Sequence, residues 1–124
     1  MLLLEANNGQ VVLGKPGTEY RVSVEEVEGN IPPNRTRVKG HIVVQAKRID
    51  SMKAGGCFID PLKGRPRRVQ GRVLATDPAA NTLTVDAALP FVLKVSKGQR
   101  ADMFTPGQIV GCSVEPGAKL QVEE

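Results

Sequence analysis

The sequence predicts an all-β fold, a small and mostly antiparallel β-barrel of five to seven strands. Three observations predict it. Apolar residues recur at every second position in several segments, the pattern of strands buried on one face. Clusters of Gly, Pro, Asn and Asp separate those segments, and no stretch carries a convincing helical period. Two of the strands also hold a glycine on their apolar face, as strands do where a sheet bends sharply or another backbone comes close.

From the start of the chain, Leu2 and Leu4, then Val11 to Leu13, read as a small hairpin across Asn7-Asn8-Gly9. Tyr20, Val22 and Val24 alternate with Glu19, Arg21, Ser23 and Glu25. Asn30-Ile31-Pro32-Pro33-Asn34 is a loop, too short for a domain linker. Val38, Gly40, Ile42, Val44 and Ala46 share one face of a long strand, and Val69, Gly71, Val73 and Ala75 share one face of another. Val38-Lys39-Gly40-His41-Ile42-Val43 is echoed by Val69-Gln70-Gly71-Arg72-Val73-Leu74, 31 residues later. Two similar bent strands explain the echo better than a duplication, because the residues after each copy do not match. Asp77-Pro78-Ala79-Ala80-Asn81 turns the second strand back into Leu83, Val85 and Ala87. Pro78 suits the second position of a type I turn and Asn81 tolerates a positive φ. Phe91, Leu93 and Val95 come next, then room for one helical turn within Gln99 to Phe104. Thr105-Pro106-Gly107 leads into Val110, Cys112 and Val114, and Leu120 with Val122 adds a short last strand.

At 124 residues and 13.3 kDa the chain has room for a single β-barrel domain spanning residues 1–124. A chain of this size buries roughly two-thirds of its unfolded surface, so it needs neither disulfide nor metal to have a core. Its 40% hydrophobic and 24% charged residues exclude a disordered tail or a fibre. No apolar run approaches the ~18 residues of a membrane span. Met1-Leu2-Leu3-Leu4-Glu5 lacks a basic start and meets an acid early, unlike a signal peptide. The expected setting is cytoplasmic, without membrane association, and with Cys57 and Cys112 reduced.

Charge is the most informative feature. The net +4 divides into −3 over residues 1–34, +9 over residues 35–72 and −2 over residues 73–124. If Val38 to Ala46 point inward at alternate positions, period two sends Arg35, Arg37, Lys39 and Lys47 outward. Likewise Arg68 and Arg72 face out from the second glycine-bearing strand, and Lys63, Arg65 and Arg67 sit in a loop broken by Gly64 and Pro66. With the two strands as neighbours, one face would gather most of the positive charge and attract a polyanion. Arg offers phosphate a planar fork and Lys a mobile point charge. An acidic protein surface is the alternative partner, and an ordinary solvated face the plainest reading. Scarce aromatics, with Phe58 alone in the basic segment, argue against general single-strand binding by base stacking.

Enzymatic chemistry has little support. Cys57 and Cys112 lack metal-type spacing, and His41 is the only histidine. Cys112 alternates with Val110 and Val114 like a core residue, and nothing supplies a third group for nucleophilic catalysis by Cys57 and His41. Met52 to Pro61, with Gly55-Gly56, reads as a tight turn, the alternative being a surface for a ligand or another backbone; it lacks phosphate-loop spacing. No catalytic residue, metal or cofactor is expected.

Residues 67–115 run through a strand with interior Gly71, the Asp77 turn, two strands, a short helical turn and Phe104-Thr105-Pro106-Gly107-Gln108 before a closing strand. This order resembles the oligonucleotide/oligosaccharide-binding (OB) fold. The copper ligands of some secreted OB proteins have no counterparts here. The expectation is a non-enzymatic binding module whose basic face contacts nucleic acid or another polyanion, or else a structural or assembly domain that meets other proteins. Its contact residues would be Arg35, Arg37, Lys39, Lys47, Lys63, Arg65, Arg67, Arg68 and Arg72.

Overall fold

The computed structural model describes residues 1–7, 9–31 and 36–123. Alternating segments become strands β1 (Leu2–Asn7), β2 (Gln10–Gly14), β3 (Arg21–Val24), β5 (Gly40–Met52), β8 (Arg68–Asp77), β9 (Thr82–Ala87), β10 (Leu89–Lys94), β11 (Ile109–Val114) and β12 (Lys119–Val122). Three shorter strands join them: β4 (Glu26–Glu28), β6 (Phe58–Asp60) and β7 (Lys63–Gly64). The described residues thus hold twelve strands, more than the five to seven expected. Segments of two or three residues carry no measurable period and become strands only because a partner lies alongside. The only helical piece among the described residues is one 3-10 turn, Ala101–Met103, where a single turn was expected.

The fold is all-β and mostly antiparallel. A small sheet has the order β1-β2-β3-β7, and a larger one the order β10-β9-β8-β11-β5-β12-β4, with β6 beside β8. Among the described residues only the β5–β10, β4–β12 and β3–β7 ladders are parallel. The β5–β10 ladder joins the ends of a path, so β5, β10, β9, β8 and β11 close into a ring of five strands. Phe91, Ile42, Leu83, Leu93 and Val73 fill it, and the same hydrophobic cluster takes in Val11, Leu13, Val22 and Val24 of the small sheet.

The Asp77 turn has the expected chemistry. Asp77 Oδ1 accepts the Ala80 N–H at 3.1 Å, and Asn81 adopts φ 57°. Both strand glycines mark close approaches: a Cβ on Gly71 would lie 2.5 Å from the Asp86 carbonyl oxygen, and one on Gly40 would collide with the Gln121 carbonyl oxygen. In the Met52–Pro61 loop the close neighbour is a side chain. Gln70, 5% exposed, donates from Nε2 to the Gly56 carbonyl at 3.0 Å and leaves no room for a Cβ on Gly55.

Alternation slips in β5 after Ala46. Ala46 is buried, Lys47 and Arg48 are both exposed, and Ile49 is buried again. Val114 faces Ala46 while Cys112 faces Ile49, so β5 spends one extra residue there, a β-bulge that reverses which face later residues occupy. Beside the bulge, where β10 no longer pairs with β5, Gln99 accepts the Ile49 N–H and donates to the Ile49 carbonyl, both at 2.8 Å. No helix among the described residues is long and apolar enough to cross a membrane.

Two outcomes test this account. Gly71→Ala forces a methyl against backbone and is expected to cost about 1–3 kcal/mol in urea denaturation. Gly56→Ala, with open space around its Cβ, should stay within about 0.5 kcal/mol of the parent. The second concerns Lys119, whose ammonium donates to Glu28 at 2.7 Å across the β4–β12 ladder. That hydrogen bond and the ammonium's charge lower the Glu28 pKa, and the same contact raises that of Lys119. The bridge's contribution is therefore complete above the unfolded carboxyl pKa and lost as pH falls through the lower folded value. On the alkaline side it is lost as pH rises through the raised Lys119 value. In a carbon-detected NMR titration Glu28 should titrate below the ordinary glutamate range, and Lys119→Ala should return it there.

Candidate functional site

The two glycine-bearing strands are not hydrogen-bonded neighbours, because β11 lies between β8 and β5. Directly paired residues present side chains to one face, so the ladders fix what each arginine meets. One row runs Asp86, Arg72, Ile109, Met52; the next Phe58, Gln70, Gly111, Asp50; the third Asp60, Arg68, Ser113. Arg48 adds a cation here and is ion-paired to Asp50 at 3.0 Å. This face thus sets Arg48, Arg68 and Arg72 against Asp50, Asp60 and Asp86, which corrects the expectation that it gathers most of the positive charge. Arg72 also spends a donor on the Gly107 carbonyl at 2.9 Å. Arg67 is exposed just before β8, its N–H bound to the Asp60 carbonyl.

The remaining expected cations are dispersed. Lys47 sits at the β5 bulge, where its carbonyl accepts the Ser96 hydroxyl at 3.3 Å. Lys39 precedes β5 and its carbonyl accepts the Glu123 N–H. Arg65 lines a groove with Glu5 and Glu25. Arg35 lies outside the described residues.

Lys63 and Arg37 reach a different surface, the small sheet. Lys63 on β7 stands in register with Arg21 on β3, and Arg37 pairs with Leu2 on β1, which in turn faces Gly14 on β2. A groove of about 250 Å³ opens here, lined by Leu2, Leu4, Gly14, Tyr20 and the cations Lys15, Arg21 and Lys63, with Glu19 as its only carboxylate among the described residues. Gly14 has no side chain to fill it, and a Cβ there would press within 2.9 Å of Leu4 Cδ1. The Tyr20 hydroxyl accepts the Ile59 N–H at 3.3 Å, and the Arg21 N–H donates to the Leu62 carbonyl, so the β6–β7 segment is tied to β3.

Lys15 and Arg21 escape sequence reasoning because they stand in a segment whose net charge is −3. The outward parity of Arg21 was readable, but its pairing with Lys63, 42 residues later, was not. Among the described residues the ion pairs are Arg48–Asp50, Arg100–Asp102 and Lys119–Glu28. None involves an expected contact residue or a groove cation.

The two cysteines are free, Cys57 exposed and Cys112 buried. Burial pushes the Cys112 thiol up to about 12. Since thiolate is the reactive form, an aromatic disulfide reagent at pH 8 should label one thiol per folded chain, and Cys57→Ser should abolish that reaction until denaturant is added.

Compared with protein-family models, curated proteins and solved structures, the chain gives no match.

Proposed function

We propose that this protein is a non-enzymatic, cytoplasmic binding module that holds nucleic acid through the outer face of its small sheet. The observation that carries this reading is the groove lined by Lys15, Arg21 and Lys63 with Glu19 as its one acid among the described residues; Arg37 stands one strand beyond Leu2, and Glu5 and Glu25 stand with Arg65 in the adjoining groove. Where cations outnumber carboxylates, as they do in this groove, they raise the local potential and draw in polyanions, whereas the β8 face alternates its charges. Arg21 forks toward phosphate oxygens and the two lysines supply mobile charge. At about 250 Å³ the groove is smaller than small-molecule sites, which run to roughly 300–1,000 Å³, and this favours a backbone passing over it.

The five-stranded ring supports the OB-like part of the proposal. The OB fold is a five-stranded, partly open barrel, and here β8, β9 and β10 form a meander that β11 and β5 close into a five-stranded ring. The departure is that β5 precedes the meander in the chain. The function is argued from the site, since one fold carries many functions.

The test is the salt dependence of binding to mixed-sequence oligonucleotides. With about four phosphate contacts, log affinity against log salt should have a slope of roughly −3 to −4. Arg21→Ala with Lys63→Ala should make it shallower by roughly one to two units, while Arg68→Ala with Arg72→Ala changes it by less than about one. Absence of binding at low salt to single strands and duplexes alike would overturn the reading.

A further inference from the structure

We infer that the nucleic acid held by the small sheet is a B-form DNA duplex, gripped by its phosphates on both sides of the major groove. The inference rests on the proposed nucleic-acid function and narrows its ligand. Its basis is the spacing of charge along one transverse row. Arg37 pairs with Leu2, Leu2 with Gly14, and Arg21 with Lys63. The β2–β3 ladder runs Val11–Val24, Val12–Ser23, Leu13–Val22, so its next rung brings Gly14 opposite Arg21. The row across the sheet is therefore Arg37, Leu2, Gly14, Arg21, Lys63: a cation, two uncharged positions, then two cations.

Adjacent strands lie about 4.8 Å apart, which sets Arg37 about 14 Å from Arg21 and about 19 Å from Lys63. The major groove of B-DNA is about 12 Å wide. Flexible side chains at the ends of the row can thus reach phosphates on either strand, with Leu2 and Gly14 facing the opening between them. A row with its charge at the centre would instead follow one backbone.

Single strands find few aromatic footholds here. Phe91 and Phe104 are buried, Phe58 is half-buried opposite Gln70, and the half-buried Tyr20 holds the Ile59 N–H with its hydroxyl. Tyr20 alone borders the groove, so no series of exposed aromatics can stack successive bases, and such stacking supplies much of the affinity in general single-strand binders. Contacts limited to phosphates position a protein on DNA without reading its sequence.

The experiment titrates the protein into a mixed-sequence 20-base-pair DNA duplex and into each of its separated strands, over a range of salt. The duplex should bind about tenfold tighter than either strand near 0.1 M salt, and permuting its sequence should change little. Arg37→Ala should lower the steepness of the duplex slope by about 0.9, and Arg37→Gln by the same amount. Thermal melting confirms that each variant is folded. Equal or tighter binding of single strands overturns the inference and leaves the proposed function standing, as does an unchanged duplex slope in both Arg37 variants. Failure to bind either form overturns both.

Discussion

One strand has to satisfy partners on both edges at once, and the rest of the molecule is arranged around it. Strand β5 pairs with β10 over Ile42 to Gln45 on one edge, and on the other with β12 over Gly40 to Val43 and β11 over Ala46 to Met52. Pairing with β10 closes the ring, and closure removes the open edges that would recruit other chains. Pairing with two strands in succession requires a break where one leaves and the next enters, and the bulge between Ala46 and Ile49 supplies it. On the edge that β10 has left by then, the Gln99 side-chain amide serves Ile49 as a donor–acceptor pair, because buried backbone groups left unpaired are costly. Gly40 lies at the other end of the β12 pairing, opposite Val122, where β12 passes too close for any side chain.

The bulge also decides where charge goes. By reversing the parity of β5 it turns Asp50 outward beside Gly111, on the rung that carries Gln70. Together with Asp60 and Asp86 it converts a surface that looked uniformly basic into a mosaic. Cross-strand pairs of opposite charge stabilise a sheet modestly, by roughly 0.2–1 kcal/mol each, and they weaken long-range attraction of a polyanion. The small sheet has no such balance around its groove. Its cations come from β3, β7 and the turn after β2, and they meet because Tyr20 and Arg21 tether the β6–β7 segment by hydrogen bonds to Ile59 and Leu62.

The small sheet is bound to the larger one through core as well as backbone. Val11, Leu13, Val22 and Val24 point into the shared cluster, which leaves Val12, Ser23 and Arg21 on the outer side. Met1 and Leu3 hydrogen-bond to Val38 and Thr36, so the approach to β5 runs along β1. Arg37 is brought to the end of the charged row by this contact and by nothing in its own neighbourhood of sequence.

The sequence by itself determined whatever depends on local chemistry. Alternation marked Ile42, Val44, Val69, Val73, Leu83, Val85, Phe91, Leu93 and Cys112 as buried, the Asp77–Asn81 turn named its own conformation, and Gly40 and Gly71 announced close approaches. Of the groove's surroundings, Lys63 and Arg37 were legible as exposed cations. What only the tertiary structure decided is adjacency. β11 inserts between β5 and β8, the three aspartates fall opposite or beside arginines, and Lys15 and Arg21 join Lys63 despite their acidic segment. The physical reason is that side-chain parity is set within a strand by its pleat. The identity of a strand's neighbour is set by ring closure and core packing over the whole chain, and electrostatics depends on that neighbour.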